Sequence, residues 1–250
     1  MISIKTKQEI AAMRDAGRIV AEVLALMGEM VKPGISTYEL DTAAEKYIRK
    51  CHADPTFKGY QGFPASICAS INEEIVHGIP SKHRILMEGD IVSIDTGATF
   101  REYVGDAART FPVGEISDEK ARLVRVTEES FYEGMKQAVA KQRLGDLGHA
   151  IQAHAEKNGY SIIRDLVGHG IGKNMHEDPS VPNYGTRGRG LRLEPGLAIA
   201  VEPMVAMGHY TIKVLKDGWT CVTKDGSPSS HYENTIVITA DGGPEIMTRL

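Results

Sequence analysis

Between residues 5 and 30, apolar side chains recur at Ile10, Met13, Val20, Leu24 and Met27, with Gly17 on the same line. Steps of three, four and seven residues share one face of a helix, so this segment reads as an amphipathic helix turned toward a core. Lys32-Pro33-Gly34 ends it. Ser36-Thr-Tyr-Glu39 has the form of a capping box, and Leu40, Ala44, Tyr47 and Ile48 make the buried face of a second helix. The pattern then turns to strands, at residues 65–72, 91–100 and 103–110. A second helical pair follows at about 118–142 and 146–158, the latter closed by Gly159. More strands are expected at 161–166, 198–205 and 235–239. The order helix–helix–strands therefore occurs twice, with the halves meeting near residue 112. No Pro-, Gly- or Ser-rich linker intervenes. The expectation is one α+β domain over 1–250 with a pseudo-twofold, its repeats roughly 1–112 and 113–250.

Composition narrows the class. With 42% hydrophobic and 25% charged residues, 250 residues can bury a sizeable core, and 29 basic against 33 acidic side chains give no reason to expect DNA as a partner. Cys51, Cys68 and Cys221 are odd in number, far apart and form no CxxC pair, which speaks against a disulfide framework or a cysteine zinc site and fits a reducing compartment. The opening Met1-Ile-Ser-Ile-Lys-Thr-Lys has no apolar core of a signal peptide. No segment reaches the roughly 18 apolar residues of a membrane span. A cytoplasmic protein, monomeric by default and without a membrane partner, is expected.

The chemistry concentrates in Asp95-Thr-Gly-Ala-Thr-Phe-Arg-Glu-Tyr-Val-Gly-Asp106. If Phe100-Arg101 is the tip of a hairpin, Asp95 stands opposite Asp106, with Cβ atoms about 5 Å apart on one face. Two such carboxylates repel unless a cation lies between them or one keeps its proton. A solvent-facing hairpin with two unrelated acids is the alternative. Gly168-His169-Gly170-Ile-Gly172 sets an imidazole among glycines, where bare backbone would admit a ligand. Leu197-Ala-Ile-Ala-Val201 reads as a buried strand running into Glu202-Pro203, and Glu233 stands on the threshold of Thr235-Ile-Val-Ile-Thr239. Buried carboxylates need partners, although a solvated strand end remains open for either glutamate. Four carboxylates and one imidazole suit two divalent ions held about 3.5–4 Å apart. No HExxH occurs, since His176-Glu177-Asp178 lacks the second histidine, and Gly168 to Lys173 has the wrong spacing for a P-loop.

Six ordered stretches carry a resemblance. They are Tyr60-Gln-Gly-Phe-Pro-Ala-Ser-Ile-Cys68, Asn72-Glu-Glu-Ile-Val-His77-Gly, Asp95 to Thr110, Gly168 to Gly172 with His176, Ala200-Val-Glu-Pro203, and Asp217-Gly-Trp219 through Glu233. Over nearly its whole length the chain resembles the type I methionine aminopeptidases. The resemblance implies the pita-bread α+β fold, a pseudo-twofold repeat of helix–helix–strand units around a central antiparallel sheet. It implies metal ligands at Asp95, Asp106, His169, Glu202 and Glu233, holding two divalent ions (Co, Mn, Fe(II) or Zn) and a water activated between them. Glu202 would double as proton acceptor, and His77 and His176 would contact the substrate as catalytic groups. Tyr60, Phe63, Cys68, Met175 and Trp219 would form a methionine pocket, sulfur and aromatic groups suiting a thioether.

The activity so implied is removal of the initiator methionine from nascent polypeptide N-termini when the second residue is small. The ribosome near its exit tunnel would be a further partner, met by Lys213, Lys216 and Lys224. The chain departs from the family at Phe63, where Tyr is common, at Met175, where an aromatic is common, and at Phe57, a frequent Cys position. His52, His83, His149, His154, His209 and His231 match none of the motifs and read as structural or surface residues. The related proline-directed peptidases, aminopeptidase P and prolidase, usually carry an extra N-terminal domain for which 250 residues leave no room. A catalytically dead relative would have lost metal ligands, and all five are present.

Overall fold

The first helix, α1 (Lys7–Met30), starts at Thr6, whose hydroxyl accepts the Glu9 N–H while the Glu9 carboxylate accepts the Thr6 N–H. The same reciprocal cap at Ser36 and Glu39, expected from the sequence, opens α2 (Thr37–Lys50). Both belong to a computed structural model that describes residues 2–241 and 243–250, so Met1 of the expected leader-free segment lies outside it. After α2 come β1 (Asp54–Pro55), β2 (Ile67–Ile71), β3 (Glu74–Val76), β4 (Ile91–Phe100) and β5 (Tyr103–Pro112). The second half contains α3 (Asp118–Met135), α4 (Leu144–Lys157), β6 (Ser161–Ile162), β7 (Gly168–Gly170), β8 (Glu177–Val181) and β9 (Ala198–Val201). It continues with β10 (Met204–Ala206), β11 (Ile212–Val214), β12 (Cys221–Thr223), β13 (Ser229–His231), β14 (Asn234–Ile238) and β15 (Pro244–Ile246). The described strands pair antiparallel throughout.

Each helix pair covers its own sheet. Val20, Leu24 and Met27 of α1 and Leu40 and Ile48 of α2 pack on Ile67 and Ile94 of the β1–β4–β2 sheet, to which β5 adds through β4. Leu123, Val126 and Phe131 of α3 and Leu147 and Ile151 of α4 pack with Ile199, Val205 and Ile236. The five-stranded sheet of this half runs β15–β14–β9–β7–β8. The two sheets join where Thr235 Oγ1 accepts the Asp106 N–H at 3.0 Å and donates to the Asp106 carbonyl at 2.9 Å. The Glu233 N–H adds a bond to the Ala108 carbonyl at 2.9 Å. Two acids of the expected cluster are thus tied together by backbone, across the seam between the halves.

Several expectations are corrected. The helix expected to reach residue 142 ends at Met135, and tight turns follow, with Gln137 N–H bonding Gly134 O and Lys141 at φ 76°. The chain must double back there so that α4 can lie on α3, and Gly134 allows the approach, since a Cβ would stand 2.6 Å from Ile151 Cγ1. The strand expected over 198–205 is two, β9 and β10, broken at Glu202-Pro203, where proline offers no ladder N–H. The hairpin turns on Arg101-Glu102, both at positive φ (47° and 69°), rather than on Phe100-Arg101. That is the left-handed pair a two-residue hairpin favours, although neither residue advertises it. Asp95 therefore pairs with Ala108, and Asp106 with Gly97. A slip of two keeps both carboxylates on one face, because side chains alternate with period two. The glycines around His169 form strand β7 rather than an open loop. A Cβ on Gly168 would meet Ala200 O at 2.3 Å and one on Gly170 would meet Asp178 O at 2.1 Å, so the bare backbone admits neighbouring strands, not a ligand.

Candidate active site

All twelve residues singled out from the sequence line one cavity of about 170 Å³, joined by Phe57 and Gln61. One wall is charged. The β4–β5 hairpin supplies Asp95 and Asp106, β7 supplies His169, the β9–β10 break supplies Glu202, and the residue before β14 supplies Glu233. His169 is set by its backbone: Nδ1 lies 2.9 Å from the Gly170 carbonyl, which places its proton there and turns the Nε2 lone pair toward the acids. Nε2 is 3.8 Å from Asp106 Oδ2 and 3.7 Å from Glu202 Oε1. Those separations exceed a hydrogen bond but suit donors to a common ion. Glu233 joins them, for one ligand atom each of Asp106, His169 and Glu233 lie within 4.8 Å of one another.

Burial shapes the charge of this wall. It pushes Asp95 up to about 7. It raises Asp106, Glu202 and Glu233 well above the usual carboxylate range, and repulsion among the four acids adds to it for these three. Burial lowers His169 to about 4, so the imidazole is neutral, the form that binds metal. Asp95 Oδ1, Asp106 Oδ1 and Glu233 Oε1 are buried without any hydrogen-bond partner. Orphaned carboxylate oxygens converging with a neutral imidazole fit divalent metal ions, which would satisfy all of them at once.

The other wall is soft and aromatic. Phe63 and Trp219 meet edge to face with centroids 5.1 Å apart, and Cys68 and Met175 are buried beside them. Burial, with Asp95 and Asp106 nearby, raises the Cys68 thiol well above its ordinary range, so it stays protonated and unreactive. His77 stands against Trp219 with centroids 6.2 Å apart, at positive φ (61°). His176 lies with its ring centroid 4.2 Å from that of His169, and its Nδ1 is 2.7 Å from the Tyr60 hydroxyl. Burial lowers both His77 and His176.

One residue grouped with the acids was missed by sequence reasoning. His231, read as structural or surface, is 1% exposed on β13, and its ligand atoms cluster with those of Asp95 and Glu233 within 4.8 Å. The available signal was its spacing of two from Glu233, which in extended chain places both on one face. Neither His231 nor the other histidines outside the motifs are among the residues that line the cavity.

An acidic, imidazole-bearing wall at the seam of a doubled helix–sheet fold fits a metal-dependent enzyme, and comparison with known proteins shows which class of enzyme it is. Residues 11–240 match the metallopeptidase family M24, and the chain belongs to that family. Within it the chain belongs with the methionine aminopeptidases. It is 57% identical to the methionine aminopeptidase of Clostridium acetobutylicum, with 99% of each chain covered. Its fold matches the crystal structure of methionine aminopeptidase from Thermotoga maritima with a TM-score of 0.98 at 45% identity, covering 100% of both chains. The prolidase of Pyrococcus furiosus shares the fold alone, with a TM-score of 0.77 at 21% identity, and this chain covers 99% of itself but 65% of that protein. The expected pita-bread architecture is thereby borne out.

Proposed function

We propose that this single catalytic domain, residues 1–250, removes N-terminal methionine from nascent polypeptides whose second residue is small, using two divalent ions held by Asp95, Asp106, His169, Glu202 and Glu233. The observation that carries the reading is the meeting of three orphaned carboxylate oxygens with a sulfur- and aromatic-lined wall in one cavity. When bound, divalent ions supply the positive charge that keeps the acids ionised and acidifies water toward neutrality. Glu202, at the strand break, takes the proton of the attacking water and passes it to the departing amine. A Tyr60 hydroxyl that donates to Nδ1 would leave the His176 proton on Nε2, the donor that a carbonyl gaining negative charge requires. His77 serves the adjacent peptide, held between the metal wall and Trp219. Tyr60, Phe63, Cys68, Met175 and Trp219 receive the thioether.

Cobalt, manganese, iron(II) or zinc all suit such a donor set. Among the described residues no helix is long and apolar enough to cross a membrane. The reading places the enzyme in the cytoplasm as a monomer, beside the ribosomal exit, where the exposed Lys213, Lys216 and Lys224 would meet RNA. The test is release of free methionine from a Met-Gly-Met peptide by protein stripped with chelator and reloaded with Mn²⁺ or Co²⁺. No release under any loading would overturn the reading, and preferential cleavage of X-Pro peptides would replace it with a proline-directed one.

A further inference from the structure

Both ring nitrogens of His231 are buried and lack any hydrogen-bond partner. Ordinary buried imidazoles do not stay so, since a ring nitrogen without water or protein partner loses what it had in solution. The nearest acid is Glu233, whose Oε2 lies 3.7 Å from His231 Nε2, too far for a hydrogen bond. Two ligands about 2.1 Å from one ion at a tetrahedral angle stand about 3.4 Å apart, which is closer to the observed spacing. His169 keeps the same 3.7–3.8 Å to its two carboxylates on the other side of the cluster. The two groups of converging donors are Asp106, His169, Glu233 and Asp95, His231, Glu233, so Glu233 is common to both and each has one imidazole.

We propose that His231 is a direct metal ligand, the nitrogen donor of the Asp95–Glu233 half of the centre, matching His169 on the Asp106–Glu233 half. The proposal rests on the two-ion reading above. It changes the chemistry of the second ion. Held by Asp95, Asp106 and Glu233 alone, that ion would sit among oxygens only, a set suited to hard ions such as Mg²⁺ and Mn²⁺. An added imidazole turns the same half toward Co²⁺, Fe²⁺ and Zn²⁺. His231 enters from β13, whose Ser230 and His231 are tied to Thr110 of β5, Ser230 by its hydroxyl at 3.0 Å and His231 by its N–H at 3.0 Å. The Thr110 hydroxyl also donates to the His231 carbonyl at 2.9 Å. The ring is therefore carried on a fixed strand rather than a mobile loop, as a ligand must be.

The experiment uses chelator-stripped full-length protein titrated with Co²⁺ alone. Calorimetry counts the sites, and proton NMR of the Co²⁺-loaded, ¹⁵N-histidine-labelled protein counts the ring N–H signals that carry the large through-bond contact shift of a direct ligand, which the nearby rings of His77 and His176 lack. Two equivalents with two shifted ring signals in the unaltered protein are expected. His231→Gln and His231→Asn should lose one signal and weaken one of the two Co²⁺ sites by at least about tenfold, with Mn²⁺ affected less. The unaltered protein needs no variant to decide the matter: two equivalents with a single shifted ring signal would overturn the His231 proposal and leave the two-ion reading standing. Fewer than two equivalents would overturn the two-ion reading itself.

Discussion

Stripping the divalent ions and then raising the pH should make the protein progressively easier to unfold. Burial pushes Asp95 from 3.8 up to about 7 and raises Asp106, Glu202 and Glu233 well above the usual carboxylate range. A carboxyl raised in the fold still holds a proton that the unfolded chain has released, so stability falls as pH climbs from the unfolded value through the folded one. For Asp95 the span of about three pH units corresponds to roughly 4 kcal/mol, lost between about pH 4 and pH 7. The buried histidines act with the opposite sign. His169 and His231, lowered to about 4 and about 3, stay neutral in the fold while the unfolded chain protonates, so their cost grows as pH falls below 6.5.

Above pH 6.5 the histidines are largely neutral in both states and the acids decide the slope. Each carboxyl removes about 1.4 kcal/mol per pH unit for as long as it keeps its proton in the fold. For a chain of this size each kcal/mol so lost lowers Tm by about 2–4 °C. Bound ions remove the effect by keeping the acids ionised, and themselves stabilise by about 2.7 kcal/mol at one hundred times Kd. Scanning calorimetry of stripped and Mn²⁺-loaded protein at pH 6.5, 7.5 and 8.5 measures this. The stripped Tm should fall with pH, while the loaded Tm stays higher and nearly level. A stripped protein with a flat Tm, coincident with the loaded one after verified metal removal, would refute the crowding of buried acids.

Glu202→Gln should leave the fold intact and lower kcat by at least about 100–1000-fold at saturating metal; near-normal turnover would remove Glu202 from the proton transfer. In a Met-X-Ser peptide series, kcat/KM should be high for Gly, Ala, Ser, Thr, Pro, Val and Cys and collapse for Leu and Lys. A longer side chain would strike the wall near His77 and His176, and a displacement of about 1 Å can cost roughly a hundredfold. Gly170→Ala should destabilise by about 1–3 kcal/mol, because its Cβ would stand 2.1 Å from the Asp178 carbonyl; an unchanged denaturation midpoint would contradict the tight β7–β8 contact. A triple Lys→Glu variant at Lys213, Lys216 and Lys224 should co-sediment with ribosomes less well than the unaltered protein at low salt, and equal co-sedimentation would dismiss that docking surface.

Local chemistry alone determined much of this protein. The cap at Ser36, the helix faces and the long alternating strands depend on neighbours within a few residues, so they can be read directly from the order of side chains. The four acids and one imidazole of the acidic wall could also be singled out, because a carboxylate in a strand that heads into the core needs a partner wherever the strand goes. Distance and register belong to the tertiary structure. The turn at Arg101-Glu102 has no glycine or asparagine to announce it, so the Asp95–Asp106 pairing slipped by two, and only the period of the strand preserved their common face. The glycines flanking His169 looked like room for a ligand until β8 and β9 were seen to occupy that room. His231 stayed hidden for the same reason: its neighbour Asp95 lies 136 positions earlier in the chain (231 − 95), and only the packing of β13 against β5 brings the imidazole to the acids.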